Sequence, residues 1–267
     1  QNLYTQVTSV AQMIDKYQIL DSAIYKVTYE LDFVKDPEKN EKETDIVVLE
    51  IGDHLSKSYS QTLYDADSVA TAWIAMGRDV FPSIKKYVPP MEVYTNYPNQ
   101  KQTITYRTFL SGAVYKYIED VESFGWQLQT DTKNIHGYLC QKASMSFRGR
   151  DYEAWFTPEI PLSKGPWKFG GLPGLILEIR DTENQYVYKC ISFNKLAVKR
   201  PIKMWKWDYE QTKRKDLQKF VKFMHLNTYE YFKTIGQEVH YKDVPDDKQD
   251  EEARKRLIYP YNPIERD

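Results

Sequence analysis

Hydrophobic and polar positions alternate in short bursts along most of this chain, with the period of two that a half-buried strand requires. "IYKVTYELDFV" (24–34) is rich in β-branched and aromatic residues, and "DIVVLEIGDHLSKSYS" (45–60) continues the pattern after a charged connection holding Pro37 and Asn40. The two read as paired strands. Between 65 and 87 the period changes: Val69, Trp73 and Met76 are spaced three and four apart, which predicts a helix, and Gly77 and Pro82 break it. Strands return over 92–121 and 124–157, separated by turn formers such as "PNQ", "SG", "SFG" and "RGRD". "LILEIRD" (175–181) and "YVYKCISFNKL" (186–196) follow, joined by "TENQ" as a hairpin. A long helix is predicted from about Asp208 to Lys233, with Leu217, Phe220, Val221, Met224, Thr228 and Tyr231 on one stripe and Gly236 at its end.

The two ends of the chain carry weaker signals. Residues 1–23 have scattered apolar positions and read as an arm or a short helix. Residues 237–267 read as a charged, Pro-containing connector followed by an extended tail that docks as an edge strand. Several strands, a shorter helix in the N-terminal half, many strands and a long helix in the C-terminal half make an α+β protein with a dominant antiparallel sheet. The 267 residues are read as one domain, 1–267, long enough for a sizeable core.

Composition adds limits. Thirty-seven basic residues stand against 38 acidic ones. Electrostatics therefore gives no reason to propose nucleic acid or an anionic membrane as partner. No run approaches the roughly 18–20 apolar residues of a transmembrane helix. The chain begins at Gln1, for which a removed signal peptide is the expected explanation. The two cysteines, Cys140 and Cys190, lie in strand-like stretches and are either a disulfide or two buried thiols.

Chemical motifs are sparse. His54, His136, His225 and His240 form no metal-ligand spacing, and no nucleophile elbow, phosphate loop or cofactor fingerprint is present. The expectation is no catalytic residues, no metal and no cofactor, with an enzyme whose site is unrecognisable as the last alternative.

One stretch stands out. "WKFGGLPGLILEI" (167–179) has a turn at its centre, yet almost nothing in it favours water. Leu172-Pro173-Gly174-Leu175 reads as a type II β-turn, Pro presetting φ at its second position and Gly supplying the positive φ at its third. Leu172 and Leu175 must be hidden, each contributing roughly 1.5–3 kcal/mol on burial. Either the turn plugs the end of the sheet beside Trp167 and Phe169, or it forms the lip of an apolar cavity or a docking surface for another protein. The candidate binding residues are Trp155, Trp167, Phe169, Gly171, Leu172, Pro173, Gly174, Leu175 and Ile176.

"GLPGLI" (171–176) within "GRDYEAWFTPEIPLSKGPWKFGGLPGLILEIRD" (149–181), with "IHGYLCQKA" (135–143) and "YNPIE" (261–265), resembles the GLPGLI family, envelope proteins of Bacteroidota. That resemblance implies export with a cleaved signal peptide, a periplasmic location that is peripheral to the outer membrane, and association with an outer-membrane barrel or a TonB-dependent transport system. It defines no catalytic residues. The strands around the motif also look like half-open β-barrels wrapped around helices, which implies a strongly curved, half-barrel-like sheet. Two functions follow as expectations: a non-enzymatic binding or accessory protein whose apolar turn engages an outer-membrane protein, or a carrier of a lipid or other apolar ligand with Trp155, Trp167, Phe169 and Leu172 at its mouth.

Overall fold

A computed structural model of the chain describes residues 7–110 and 112–267. Two strands of 20 residues each, β1 (Tyr17–Asp36) and β11 (Tyr186–Trp205), run antiparallel side by side as its spine. From β1 one meander leads outward through β2 (Glu41–Ile51), β3 (Ser56–Ser60), β4 (Met91–Thr95), β5 (Lys101–Arg107) and β6 (Val114–Asp120). From β11 another leads back through β10 (Leu175–Asp181), β9 (Arg150–Thr157), β8 (Tyr138–Phe147) and β7 (Gln127–Ile135). A three-residue strand, β12 (Tyr209–Gln211), adds to β6 in parallel. The result is one 12-stranded sheet whose neighbours, apart from the β1–β11 seam and β12, are also neighbours in sequence.

The sheet is open, not the strongly curved half-barrel expected: its strand order is linear and ends in two different edges, β12 and β7. Strand propensity and alternation report that strands exist but carry no measure of curvature. The long helix from Asp208 to Lys233 is also corrected. It is two helices, α2 (Arg214–Leu226) and α3 (Thr228–Thr234), parted at Asn227, whose φ of −127° and ψ of 48° leave the helical region. No Gly or Pro marks that break. The N-terminal-half helix, α1 (Gln61–Ala75), is the longest of the four described. Its start is set by Ser60, whose hydroxyl accepts from the Leu63 amide at 3.3 Å.

At the termini, residues 1–6 of the expected arm lie outside the described residues, and its last part, from Tyr17, is already β1. Inside the charged connector is a further helix, α4 (Gln249–Arg256), laced by Glu251–Lys255 and Glu252–Arg256 pairs one turn apart. The tail beyond it forms no edge strand; residues 260–265 cross the sheet as a strap.

The sheet has two differently built faces. Alternation sends Val27, Tyr29, Leu31 and Phe33 of β1, Val47 and Leu49 of β2, and Tyr186 and Tyr188 of β11 into one main core. Lys57 and Tyr59 of β3, and Glu92 and Tyr94 of β4, alternate to the other side. There Lys57, only 2% exposed, lies 3.3 Å from Glu92, donates to the Lys203 carbonyl at 3.1 Å and sits over the Trp205 ring. Tyr94 Oη and Trp205 Nε1 each donate to Glu92, at 2.6 and 3.0 Å. Nearby, Arg107 forks onto Asp67 of α1 at 2.8 and 2.6 Å, with Trp207 stacked over the guanidinium.

A roofed cavity as candidate ligand site

The core-side face holds a cavity of about 120 Å³. Its floor is sheet: Leu31 and Phe33 from β1, Asp45 and Val47 from β2, Ser58 and Ser60 from β3, Val93 from β4, and Tyr186 and Tyr188 from β11. The register fixes this grouping, because Leu31 pairs with both Asp45 and Tyr188, Val47 with Ser60, and Ser58 with Val93. Its roof is Leu217, Val221 and His225 of α2 together with the strap 260–265.

The strap is held in detail. Arg150, paired with Asp181 at 2.6 Å, donates to the carbonyls of Ile264 and Pro263 and to the side chain of Asn262. Tyr186 Oη donates to Asn262 O at 2.5 Å, and Asn262 Nδ2 donates to Val34 O at 2.7 Å. Glu265 is bonded by Lys168 at 2.6 Å and by Arg214 at 3.3 Å. Desolvation alone lowers the Lys168 pKa, but Tyr117, Glu265 and Glu119 outweigh it and keep the ammonium charged. His225 Nδ1 lies 2.6 Å from Pro260 O. A carbonyl only accepts, so that nitrogen carries the proton. Burial depresses the His225 pKa to about 4, and the imidazole is neutral at pH 7.

Two polar atoms at this cavity stand apart. Asp45, 1% exposed, receives the Thr62 hydroxyl and the Ile46 amide on Oδ1, at 2.7 and 2.8 Å, while Oδ2 has no hydrogen-bond partner among the described residues. Desolvation raises its pKa, against the neighbouring Thr62 and Ser60 hydroxyls and the Ile46 amide, which favour the charged form. Trp167 also lines the cavity, and its Nε1 is buried without an acceptor among the described residues. Its backbone amide donates to Ser58 Oγ at 3.0 Å, which places it beside the β3 serines. A buried donor or acceptor left unmade costs about 1–3 kcal/mol, so a cavity beside two of them is chemically incomplete.

The turn residues of the sequence reading occupy the neighbouring core. Leu172 is 1% exposed, and Leu175 and Ile176 are fully buried, while Gly171 and Pro173 lie at the surface. The turn is tighter than the type II form expected: the Gly174 amide closes on Leu172 O at 2.8 Å, and the Leu175 amide is taken by Ile160 O at 3.0 Å. Glycine is required at 174 by close approach, since a Cβ there would sit 2.1 Å from the Thr157 carbonyl oxygen. Trp167 and Phe169 stack edge to face with centroids 5.0 Å apart. Trp155 is not brought to them; it alternates to the other face of β9, where Lys133 Nζ lies 4.5 Å from its ring centre. The possible Cys140–Cys190 bond is not made: both are free, buried thiols, raised by burial to about 11.

Asp45, Ser58, Ser60, Arg214 and Glu265 were not singled out in the sequence, and His225 was read there only as one of four histidines without metal-ligand spacing. The one signal available was the run of serines at alternate, inward positions of β3, at 56, 58 and 60. Among the described residues, no group of three His, Cys, Asp or Glu side chains is placed to hold a metal, and no helix is long and apolar enough to cross a membrane.

The family described as "Protein of unknown function (Porph_ging)" matches residues 147–178, the stretch that contains the apolar turn. No curated protein matches the chain. Among solved structures, PNGF-II in its C2 and P21 crystal forms is similar at 14% identity, with TM-scores of 0.48 and 0.49 over 76% of this chain. The chain spans about a third of the length of PNGF-II, 33% in both forms.

Proposed function

We propose that this chain is a binding protein that holds one small, largely apolar ligand beneath the C-terminal strap. The observation that carries the reading is the pairing of an apolar, aromatic-walled cavity with two buried polar atoms that lack partners among the described residues, Asp45 Oδ2 and Trp167 Nε1. Ligand sites combine these two elements: apolar walls for affinity and a few polar groups for orientation. In size, about 120 Å³ matches a single aromatic ring or a short branched chain rather than a long acyl chain. The buried leucines of the turn offer no docking surface, so the accessory role suggested by the sequence loses that support. On this reading the ligand is bound in the periplasm and exchanged with an outer-membrane transporter, as the family resemblance implies.

The test uses benzyl alcohol as a neutral ring-sized probe, followed by NMR chemical shifts. Saturable shifts confined to Phe33, Val47, Tyr188 and Leu217, lost when Val47→Phe fills the space, are expected. Shifts that are absent, or scattered over the surface, would sink the reading.

A further inference from the structure

The charges around the cavity do not balance. Two carboxylates line it, Asp45 and Glu265. Glu265 is neutralised by Lys168 and Arg214. The lining cation Lys35 is paired with Glu41 at 2.9 Å, and Arg214 also meets Asp267 at 2.7 Å. His225 is neutral. Asp45 alone has no ion pair among the described residues. Lys86, the cation that acts on it from a distance, spends its ammonium on the Thr44 carbonyl at 2.6 Å.

The walls favour the same sign of charge in the ligand. Phe33, Tyr106, Tyr117, Trp167, Tyr186 and Tyr188 surround the space, and the faces of such rings carry the negative end of a quadrupole that attracts cations. An anionic ligand meets both this and a buried carboxylate. A neutral apolar ligand leaves Oδ2 as unpaired as before. A quaternary ammonium suits the rings but has no N–H for Oδ2. A protonated primary or secondary amine supplies the charge and the donor together, and a charge-assisted hydrogen bond is about twice as strong as a neutral one.

Resting on the reading of the cavity as a ligand site, we propose that the ligand is a small organic cation: a protonated amine on an apolar body, its ammonium paired with Asp45 and its body held among the tyrosines. Asp45 is then the residue that sets specificity, and the cavity rejects carboxylates and phosphates of the same size.

Benzylamine and benzyl alcohol share a ring and a one-carbon arm and differ in the charge of the end group near neutral pH. Isothermal titration of the native chain is expected to show benzylamine binding at least tenfold more tightly. In Asp45→Asn that preference is expected to vanish, with the amine weakened tenfold or more and the alcohol little changed. Alcohol binding as tightly as amine to the native chain overturns the cation assignment and leaves the cavity reading intact. Binding of neither probe overturns both. Amine binding that survives in Asp45→Asn and disappears in high salt marks surface association and also overturns the assignment. The native-chain comparison decides alone if Asp45→Asn does not fold.

Discussion

Two sites on opposite faces of the sheet handle buried charge in opposite ways, although the strap side also holds the fully paired Arg150–Asp181 and Lys168–Glu265. On one, Lys57, Glu92, Arg107 and Asp67 are sealed in, and each has its partners: an ion pair, hydrogen bonds from Tyr94 and Trp205, an aromatic ring over each cation. On the other, Asp45 is buried as deeply with one oxygen unmatched. Since an isolated buried charge is costly and a fully bonded one is tolerable, the first arrangement is complete as it stands, whereas the second is completed only by something from outside. A buried charge alone therefore does not mark a site. The missing partner does.

The contrast can be broken at its strongest point first. Asp67→Ala leaves the Arg107 guanidinium buried with Trp207 above it and no carboxylate, which should cost about 3–5 kcal/mol in urea unfolding. A loss below about 1 kcal/mol would mean that water reaches this cluster and that its charges are no more sealed than Asp45.

The roof of the cavity gives a pH test of intermediate size. His225 is enclosed by uncharged groups, the rings of Tyr87, Phe109, Tyr259 and Tyr261 and the Pro260 carbonyl. Its folded pKa of about 4 lies below the unfolded value near 6.5. Between those values the unfolded chain binds the proton that the folded chain refuses, so stability is full above about pH 6.5 and falls as pH drops toward 4, by roughly 3 kcal/mol in all. In His225→Asn, whose amide can keep the bond to Pro260, this part of the slope should be missing. Parallel pH–stability curves for the two proteins would show that the imidazole is already wet.

The smallest effect sharpens the comparison most. Asp45→Asn keeps an oxygen for Thr62 and Ile46 and trades an unpaired charge for an unpaired amide, the less costly of the two to bury, so the ligand-free protein should gain up to about 1 kcal/mol. One carboxylate change thus destabilises and the other stabilises. A clear loss of stability on Asp45→Asn would mean that Oδ2 has a partner within the fold.

Alternation and turn residues were enough to read most strands of both meanders and the β10–β11 hairpin over "TENQ", but 45–60 read as one strand pattern where the chain turns between β2 and β3. The helix after β3 was also legible, but its buried side was not. The spacing of Val69, Trp73 and Met76 pointed to the wrong stripe: Val69 and Met76 are exposed, and the inward residues are Leu63, Asp67 and Ala70. Asp67 faces inward because Arg107, 40 residues away, meets it there, and hydrophobic periodicity cannot register a polar residue in the core. The cavity was hidden for a related reason. Asp45 reads as the polar start of a strand, the serines of β3 as its wet face, and the strap as a loose tail, until register and the Arg150 clamp bring them together. Openness of the sheet was out of reach too, because β7, exposed along most of its length, has strand propensity without a core to pack.

The seam between β1 and β11 has a consequence for how the molecule is divided. Residues 17–120 pair among themselves, residues 127–205 pair among themselves, and the antiparallel pairing of the two spine strands is what joins these two halves of the sheet. The cavity draws Asp45 and the β3 serines from one half, Trp167, Tyr186 and Tyr188 from the other, and its roof from the chain that follows both. In the language of fragment complementation, the site belongs to neither half alone and exists only once the seam has closed.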